Sequence, residues 1–327
     1  MKAIVVHNDG SPDVLKYEEI EKPAAGDDEV LVKVRAASVN PLDGFPLLVA
    51  RVTRIMAGLR KPKVTRLGAD VAGQVEAVGR NVTQFKPGDE VFGACQGAFA
   101  EYVCVLEDKL ALKPANISFE DAAAVPVAAI TALQGLRDKG RIQRGQKVLV
   151  DGASGGVGTF AVQIAKSFGA EVTAVCSTRN VDTARSIGAD HVIDYTRADF
   201  TQSGQRYDLI IAANAHHSIF DYRRALSQDG IFVMVGGGYA QILQAMLLGR
   251  LLSRIGSKKM IFFIAKINKQ DLVLLKDLLE AGKVVPVIDR RYPLSGVAEA
   301  LRYRNEGHAQ GKVVITLEDI NKTYGAA

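Results

Sequence analysis

The sequence predicts an α/β protein in two parts: a β-rich part drawn from both ends of the chain, and a doubly wound parallel sheet between them. Three observations carry this. The first third is rich in strands and turns, short apolar strands alternate with helical stretches from about Phe119 onward, and the tail returns to turn and strand signals. With 327 residues, 48% of them hydrophobic and 24% charged, the chain has material for two packed domains and too little charge for extended disorder.

The elements follow in order. Met1 to Val6 is strand-like, and Glu29 to Val39 alternates as a half-buried strand does. Gly68 to Gly79 reads as strand and turn, Phe85 to Gly93 carries a Pro-Gly turn before a short strand, and Gly97 to Val105 extends the β pattern, which gives this part a barrel-like texture. Helical stretches around Asp121–Ala124 and Thr131–Leu136 lead to Lys147–Asp151, a strand that runs into a glycine turn and a helix. Beyond it come strands at Glu171–Val175, His191–Asp194, Tyr207–Ile211 and Gly230–Gly236, with a helix at Asn180–Ser186. They are short and apolar, as strands buried on both faces must be. Asn268 is placed to cap a helix through Leu279, with Asp271 in its first turn and Gly282 to close it. Val285–Ile288, Tyr292–Leu294 and Gly311–Thr316 then return to strand signals, expected to complete the first domain and leave a cleft between the two.

The glycine turn is the chemical signal. Gly152-Ala153-Ser154-Gly155-Gly156-Val157-Gly158 links a strand to a helix, where glycines admit a tight turn and the helix N-terminus offers unpaired N–H groups to phosphate oxygens. It is an imperfect dinucleotide motif, because the first glycine of G-x-G-x-x-G falls on Ala153. The next strand ends in Val175-Cys176-Ser177-Thr178-Arg179-Asn180, without the acid that would hold an adenosine ribose. Ser177 and Arg179 can instead bond and charge-pair with a 2′-phosphate, so the expected cofactor is NADP/NADPH.

Other chemistries find less support. Cys95, Cys104 and Cys176 are dispersed and odd in number, which argues against a disulfide framework, and neither they nor the five histidines show zinc-ligand spacing, so no metal is expected. Adjacent His216 and His217 read as turn or surface polarity. The formal charge of +5 is spread along the chain with no nucleic-acid motif. Ile242 to Arg254, followed by Lys258 and Lys259, is too interrupted to span a bilayer; helix packing, a subunit contact or a cleft wall is preferred to peripheral membrane contact. The strand-like start, without a basic leader or apolar signal core, gives a cytoplasmic expectation.

An ordered set of segments resembles the zinc-independent quinone oxidoreductase branch of the medium-chain dehydrogenase/reductase superfamily. The set is Ala37 to Asp43, Gly68 to Gly73, Phe85 to Gly93, Gly97 to Tyr102, Thr131 to Leu133 and Gly152 to Gly158, and the resemblance spans nearly the whole chain. It implies a GroES-like domain, 1–123 with 266–327, around a Rossmann-like cofactor domain, 124–265. Zinc-dependent relatives carry Cys-His-x-Asp where this chain has Asn40-Pro41-Leu42-Asp43, Gly-His-Glu where it has Gly68-Ala69-Asp70, and a further cysteine near Val127. The resemblance therefore implies reduction of quinones or small α,β-unsaturated carbonyls without a metal, by a homodimer. An NADP-dependent alcohol or ketone dehydrogenase, or a non-catalytic NADPH-binding interaction protein, are the alternatives.

The resemblance also distributes roles. Asn40 and Asp43 fall near the reacting end, Asp43 as an orienting acceptor unless its pKa is raised. Thr131 falls near the nicotinamide and pyrophosphate, and Ser154, Gly155, Gly156, Val157 and Gly158 form the phosphate turn. Tyr195 falls beside the adenine or 2′-phosphate, Asn214, Gly236 and Gly237 under the nicotinamide half, and Lys312 near phosphate or substrate. Tyr102 is either a cleft residue or aromatic packing. Apart from the resemblance, acceptor size depends on how Phe45–Leu48 and Met246–Leu252 fold against the two domains, the alternative for either being to face a neighbouring subunit.

Overall fold

The computed structural model describes residues 1–7, 12–41, 43 and 65–317; Phe45–Leu48 lie outside them. The chain divides into two compact units, one of Met1–Val127, Ile267–Glu280 and Ile288–Ala327, the other of Ala128–Lys266 and Ala281–Val287.

The strands, in chain order, are β1 (Lys2–Val6), β2 (Leu15–Glu19), β3 (Glu29–Ser38), β4 (Thr65–Arg66), β5 (Asp70–Val78), β6 (Glu90–Ala94), β7 (Tyr102–Leu106), β8 (Leu110–Leu112), β9 (Lys147–Asp151), β10 (Glu171–Cys176), β11 (His191–Asp194), β12 (Tyr207–Ala212), β13 (Leu226–Met234), β14 (Lys259–Phe262), β15 (Ile288–Pro293) and β16 (Lys312–Thr316). The first unit is GroES-like: a small sheet β2-β1-β4 and a larger one ordered β15-β16-β3-β5-β6-β8, with β7 also on β3. Strand β3 organises it. Its first half pairs with β7, its last three residues pair with β16, and its other edge pairs with β5 throughout, with two register shifts that let the strand bend. The core is the inward face of these strands, with Val32, Val34, Val71, Val91, Phe99 and Ile315 buried; each such side chain contributes about 1.5–3 kcal/mol when removed from water.

In the second unit the sheet is wholly parallel, in the order β11-β10-β9-β12-β13-β14. That is the Rossmann-like doubly wound order, which reverses between β9 and β12. Gln163 stitches the later segment into this unit: its Nε2 donates to Val285 O at 2.9 Å, and its Oε1 accepts Val285 N–H at 2.8 Å. The expected strand at Val285–Ile288 is thus displaced to β15, because a side-chain amide takes the backbone groups of Val285. Strands β2, β4, β8 and β14 escape the sequence reading, β4 being only two residues long. β2 is half exposed along its length and has no alternating apolar signal, while β8 and β14 have only three and four residues. Asn268 does cap the helix Lys269–Glu280, its Oδ1 accepting Asp271 N–H at 2.8 Å, and Gly282 beyond it has φ +64°.

The glycine turn is fixed by backbone crowding. Gly152 has φ +80°, and a Cβ on Gly158 would lie 2.0 Å from Gly152 O and 2.8 Å from Ala153 Cα. The tight-turn duty expected at Ala153 is therefore met one residue earlier, and Ala153 is fully buried with its N–H on Val175 O at 3.0 Å. Gly158→Ala should cost about 2–4 kcal/mol, because neither clashing group is a movable side chain. Gly145→Ala, where φ is also +80° but nothing lies within 4 Å of the new Cβ, should cost only about 1 kcal/mol. Urea unfolding of the two variants checks the difference.

Candidate functional site

In the second unit the predicted cofactor residues gather at the C-terminal ends of the parallel strands. After β9 come Ser154, Gly155, Gly156 and Val157, all half-buried, then buried Gly158. The helix Gly156–Ser167 starts from Gly155 with no side-chain cap, so its first-turn N–H groups are not taken up by a capping side chain. Asn214, which follows β12, presses on the turn: a Cβ on Gly152 would lie 2.7 Å from Asn214 Cβ, and Asn214 N–H donates to Asp151 O at 3.3 Å. After β13, Gly236 passes so near Ala213 that a Cβ would meet its carbonyl at 2.4 Å, and Gly237 has φ +150°. Five candidate residues of the turn, Asn214 and the two glycines thus surround the point where strand order reverses, the usual place for a ligand in such sheets. Thr131 is half-buried in the helix Pro126–Gln134.

Ser177 and Arg179 follow β10, the serine half-buried and the arginine exposed. Tyr195, 62% exposed, follows β11 and donates its N–H to Cys176 O at 3.0 Å, which brings it beside the end of β10. The acid bonded to this turn through Thr178 is Asp194. Its carboxylate accepts Thr178 Oγ1–H at 2.6 Å, Thr196 Oγ1–H at 2.7 Å and Thr196 N–H at 3.0 Å, and the Thr178 bond holds its pKa below the ordinary carboxylate value. An acid so engaged is not free to hold a ribose. The groups present therefore suit a phosphate-bearing dinucleotide: backbone donors at the turn, and a hydroxyl and a guanidinium at the end of β10.

Asn40, Asp43 and Lys312 lie in the first unit, and the sheet register explains their meeting. Ser38 at the end of β3 pairs with Asp70 on one side and Val314 on the other, two residues beyond Lys312. Asp70 Oδ2 accepts Ser38 Oγ–H at 2.6 Å, Asn40 Nδ2–H at 2.8 Å and Lys312 Nζ–H at 3.2 Å, while Oδ1 accepts Val127 N–H at 2.8 Å. Lys312 Nζ also donates to Asn40 Oδ1 at 2.7 Å, and Asn40 Nδ2 to Ser38 O at 3.3 Å. Asn40 therefore has its whole amide engaged. Lys312 is 3% exposed and turns its ammonium inward onto Asn40 and Asp70.

Asp43 is 4% exposed, and its oxygens accept Asn40 N–H at 2.7 Å and Gly68 N–H at 3.1 Å. Burial raises its pKa from 3.8 to about 7, against the opposing Asn40 bond, with nearby Asp70 adding to the rise. The condition for an acid near neutrality is met, yet both oxygens point to backbone donors.

Sequence reasoning passed over Ser38 and Asp70, although Asp70 stands in the quoted Gly68-Ala69-Asp70 segment. It also passed over the pairing of Asp151 with the Tyr222 hydroxyl, a buried bond at the end of β9. His217, read as surface polarity, packs its ring edge-on against Phe200 at 5.0 Å and Tyr222 at 5.9 Å, whereas His216 is exposed. Tyr102 is half-buried with Lys22 Nζ 3.8 Å above its ring. Among the described residues, no three His, Cys, Asp or Glu side chains gather as metal ligands do.

Two outcomes follow from the first-unit network. Lys312→Met strands a buried carboxylate and should cost about 3–5 kcal/mol, much of it recovered in Lys312→Met/Asp70→Asn, as read by urea unfolding. Because folding raises the Asp43 pKa, the native state holds a proton that the unfolded state has lost between pH 3.8 and about 7. Its contribution therefore makes stability fall as pH rises through that window, and level off above it. Asp43→Asn should flatten this slope in unfolding free energies measured across the window.

Comparison with known proteins agrees with this architecture. Residues 26–115 match the family described as alcohol dehydrogenase GroES-like domain, and residues 187–315 the one described as zinc-binding dehydrogenase. The chain is 37% identical to 2-methylene-furan-3-one reductase of Solanum lycopersicum and 36% identical to the chloroplastic NADPH-dependent alkenal/one oxidoreductase of Arabidopsis thaliana, in each case over 96% of this chain and 79% of the relative. The quinone oxidoreductase of Coxiella burnetii has the same fold, with TM-score 0.85 and 29% identity over 97% of this chain and 99% of that one. The Escherichia coli quinone oxidoreductase complexed with NADPH gives TM-score 0.80 and 25% identity over 97% and 100%. The cytoplasmic expectation is corrected by these comparisons, since relatives are named chloroplastic and, for a Bos taurus NAD(P)H oxidoreductase 32% identical over 97% of this chain and 89% of the relative, mitochondrial. No helix among the described residues is long and apolar enough to cross a membrane. A shared sequence over nearly the full chain, carried on a GroES-like unit and a Rossmann-like unit, means that the protein belongs to the quinone oxidoreductase-like branch of the medium-chain dehydrogenase/reductase superfamily.

Proposed function

We propose that the protein is an NADPH-dependent reductase of quinones or small α,β-unsaturated carbonyls that works without a catalytic zinc. The observation that carries the reading is the uncapped glycine turn at the reversal of strand order, with Ser177 and Arg179 at the end of the neighbouring strand and Asp194 tied to Thr178 and Thr196. The names of the tomato and Arabidopsis relatives support the acceptor class.

When bound, NADPH supplies a hydride to the acceptor. The chain's own residues do the holding. First-turn N–H groups from Gly156 to Gly158 receive the pyrophosphate, Ser177 and Arg179 the 2′-phosphate, and Tyr195 lies beside them; Thr131, Asn214, Gly236 and Gly237 serve the nicotinamide half. Asn40 and Asp43 hold the backbone after β3 in place through Gly68 and Asp70, rather than donating to an acceptor. Independence of zinc is supported at Asp70, because the Lys312 ammonium already neutralises that carboxylate and would repel a second cation. The proposed division is 1–123 with 266–327 for the acceptor domain and 124–265 for the cofactor domain.

A homodimer belongs to the same reading. Among the described residues strand β14 ends its sheet with one partner, and the helix Tyr239–Leu252 beside it buries Ala245 and Gly249 while leaving Leu243, Met246, Leu247 and Leu251 exposed. An open strand edge next to apolar side chains favours a second copy over a lipid surface.

Stopped-flow mixing of metal-free protein and NADPH with a panel of quinones and enones should show acceptor-dependent loss of NADPH absorbance, with saturated ketones inert. Turnover confined to saturated carbonyls, or restored only by zinc, would overturn the mechanism. Arg179→Ala should weaken NADPH by about tenfold or more and NADH little, as loss of a charge-assisted phosphate contact predicts.

A further inference from the structure

Ser177 precedes the short 3-10 turn Thr178–Asn180 with extended backbone, φ −81° and ψ 162°, and yet its hydroxyl caps no backbone N–H. A serine so placed ordinarily spends its oxygen on such a donor. Here Ser177 Oγ accepts Asn180 Nδ2–H at 3.0 Å, and Asn180 N–H donates to Ser177 O at 2.9 Å. Asn180 is 3% exposed, and its Oδ1 is buried with no hydrogen-bond partner. A buried amide that leaves one end unsatisfied is poorly explained by stability alone, since an apolar side chain would avoid that desolvation.

We infer that Asn180 is a positioning residue for NADPH, its amide occupying an acceptor site of Ser177 Oγ so that the hydroxyl proton is presented to the 2′-phosphate. The inference rests on the reading that Ser177 and Arg179 receive that phosphate. A serine hydroxyl has one proton to give and two lone pairs, whereas a phosphate dianion only accepts. An N–H donor on Oγ leaves the proton for the phosphate, and an acceptor in the same place would take it away. The carboxylate bonded to this turn, Asp194, is already supplied with protons by Thr178 and Thr196. The turn thus leaves the Ser177 hydroxyl proton for the arriving anion.

The test is equilibrium binding of NADPH and NADH to the full-length protein without acceptor, read by calorimetry or cofactor fluorescence. Asn180→Asp puts an acceptor and a negative charge on Ser177 and should raise the NADPH Kd by about tenfold or more, with the NADH Kd within about twofold. Asn180→Ala should raise the NADPH Kd less, and it removes a buried unpaired oxygen, which keeps the test available if the charged variant does not fold. Adding Asn180→Ala to Ser177→Ala should weaken NADPH no further than Ser177→Ala does alone, because the amide acts through the hydroxyl. In turnover, KM for NADPH should rise with kcat at saturation unchanged. Equal losses for NADPH and NADH would overturn the inference, as would an Asn180→Asp protein that binds NADPH normally while Ser177→Ala does not. If Ser177→Ala and Arg179→Ala both leave NADPH binding intact, the phosphate reading itself falls, and this inference with it.

Discussion

The buried carboxylate of Asp70 is the constraint on which the first unit depends. An ionised group withdrawn from water must be surrounded by donors, and Asp70 finds four: the Ser38 hydroxyl, the Asn40 amide, the Lys312 ammonium and the Val127 N–H. Those donors come from the end of β3, the loop after it, the start of β16 and the start of a helix. Satisfying one carboxylate therefore sets where three distant parts of the chain meet. It also fixes Asn40, whose backbone N–H is then presented to Asp43, and Asp43 in turn holds Gly68. Side chains that look available for chemistry in the sequence are spent on each other.

The second unit reaches a precise site by the opposite means. Its turn is shaped by backbone contacts at Gly152, Gly158 and Gly236, where any side chain would collide with a carbonyl or a neighbouring Cβ, and the polar groups that result are left open. One unit closes its hydrogen bonds inward, and the other leaves them for an anion. This contrast explains why a raised pKa at Asp43 need not mark a proton donor. The shift comes from desolvation, and desolvation is also what keeps the carboxyl pointed at backbone N–H groups.

How much of this was legible in the sequence follows from how local each feature is. The parallel sheet and its glycine turn were readable, since short apolar strands, helical spacing and glycines at a strand–helix junction are local patterns with local causes. So was the place of Ser177 and Arg179 just after a parallel strand. The Asp70 network was not, because it depends on the register of β16 against β3, and because lysine is by default an exposed residue. Nor was the capture of Val285 by Gln163, in which a side chain on a distant helix overrides a local strand preference. The conformational duty expected at Ala153 shifted to Gly152, since a motif's frame constrains the turn as a whole more than any one position in it.

The discontinuous first unit has a consequence for synthesis. Residues of the second unit are contiguous except for the short stretch Ala281–Val287, so that unit is nearly complete once Lys266 has emerged. The end of β3 is made earlier and must wait for β16, whose last residue follows Val127 by roughly 190 positions. At about 5–20 residues per second this is an interval of roughly ten to forty seconds. Through that interval Asp70 has no ammonium partner, and the end of β3 exposes the edge that β16 will cover. Until β16 arrives, the nascent chain carries an open sheet edge at Ala36–Ser38.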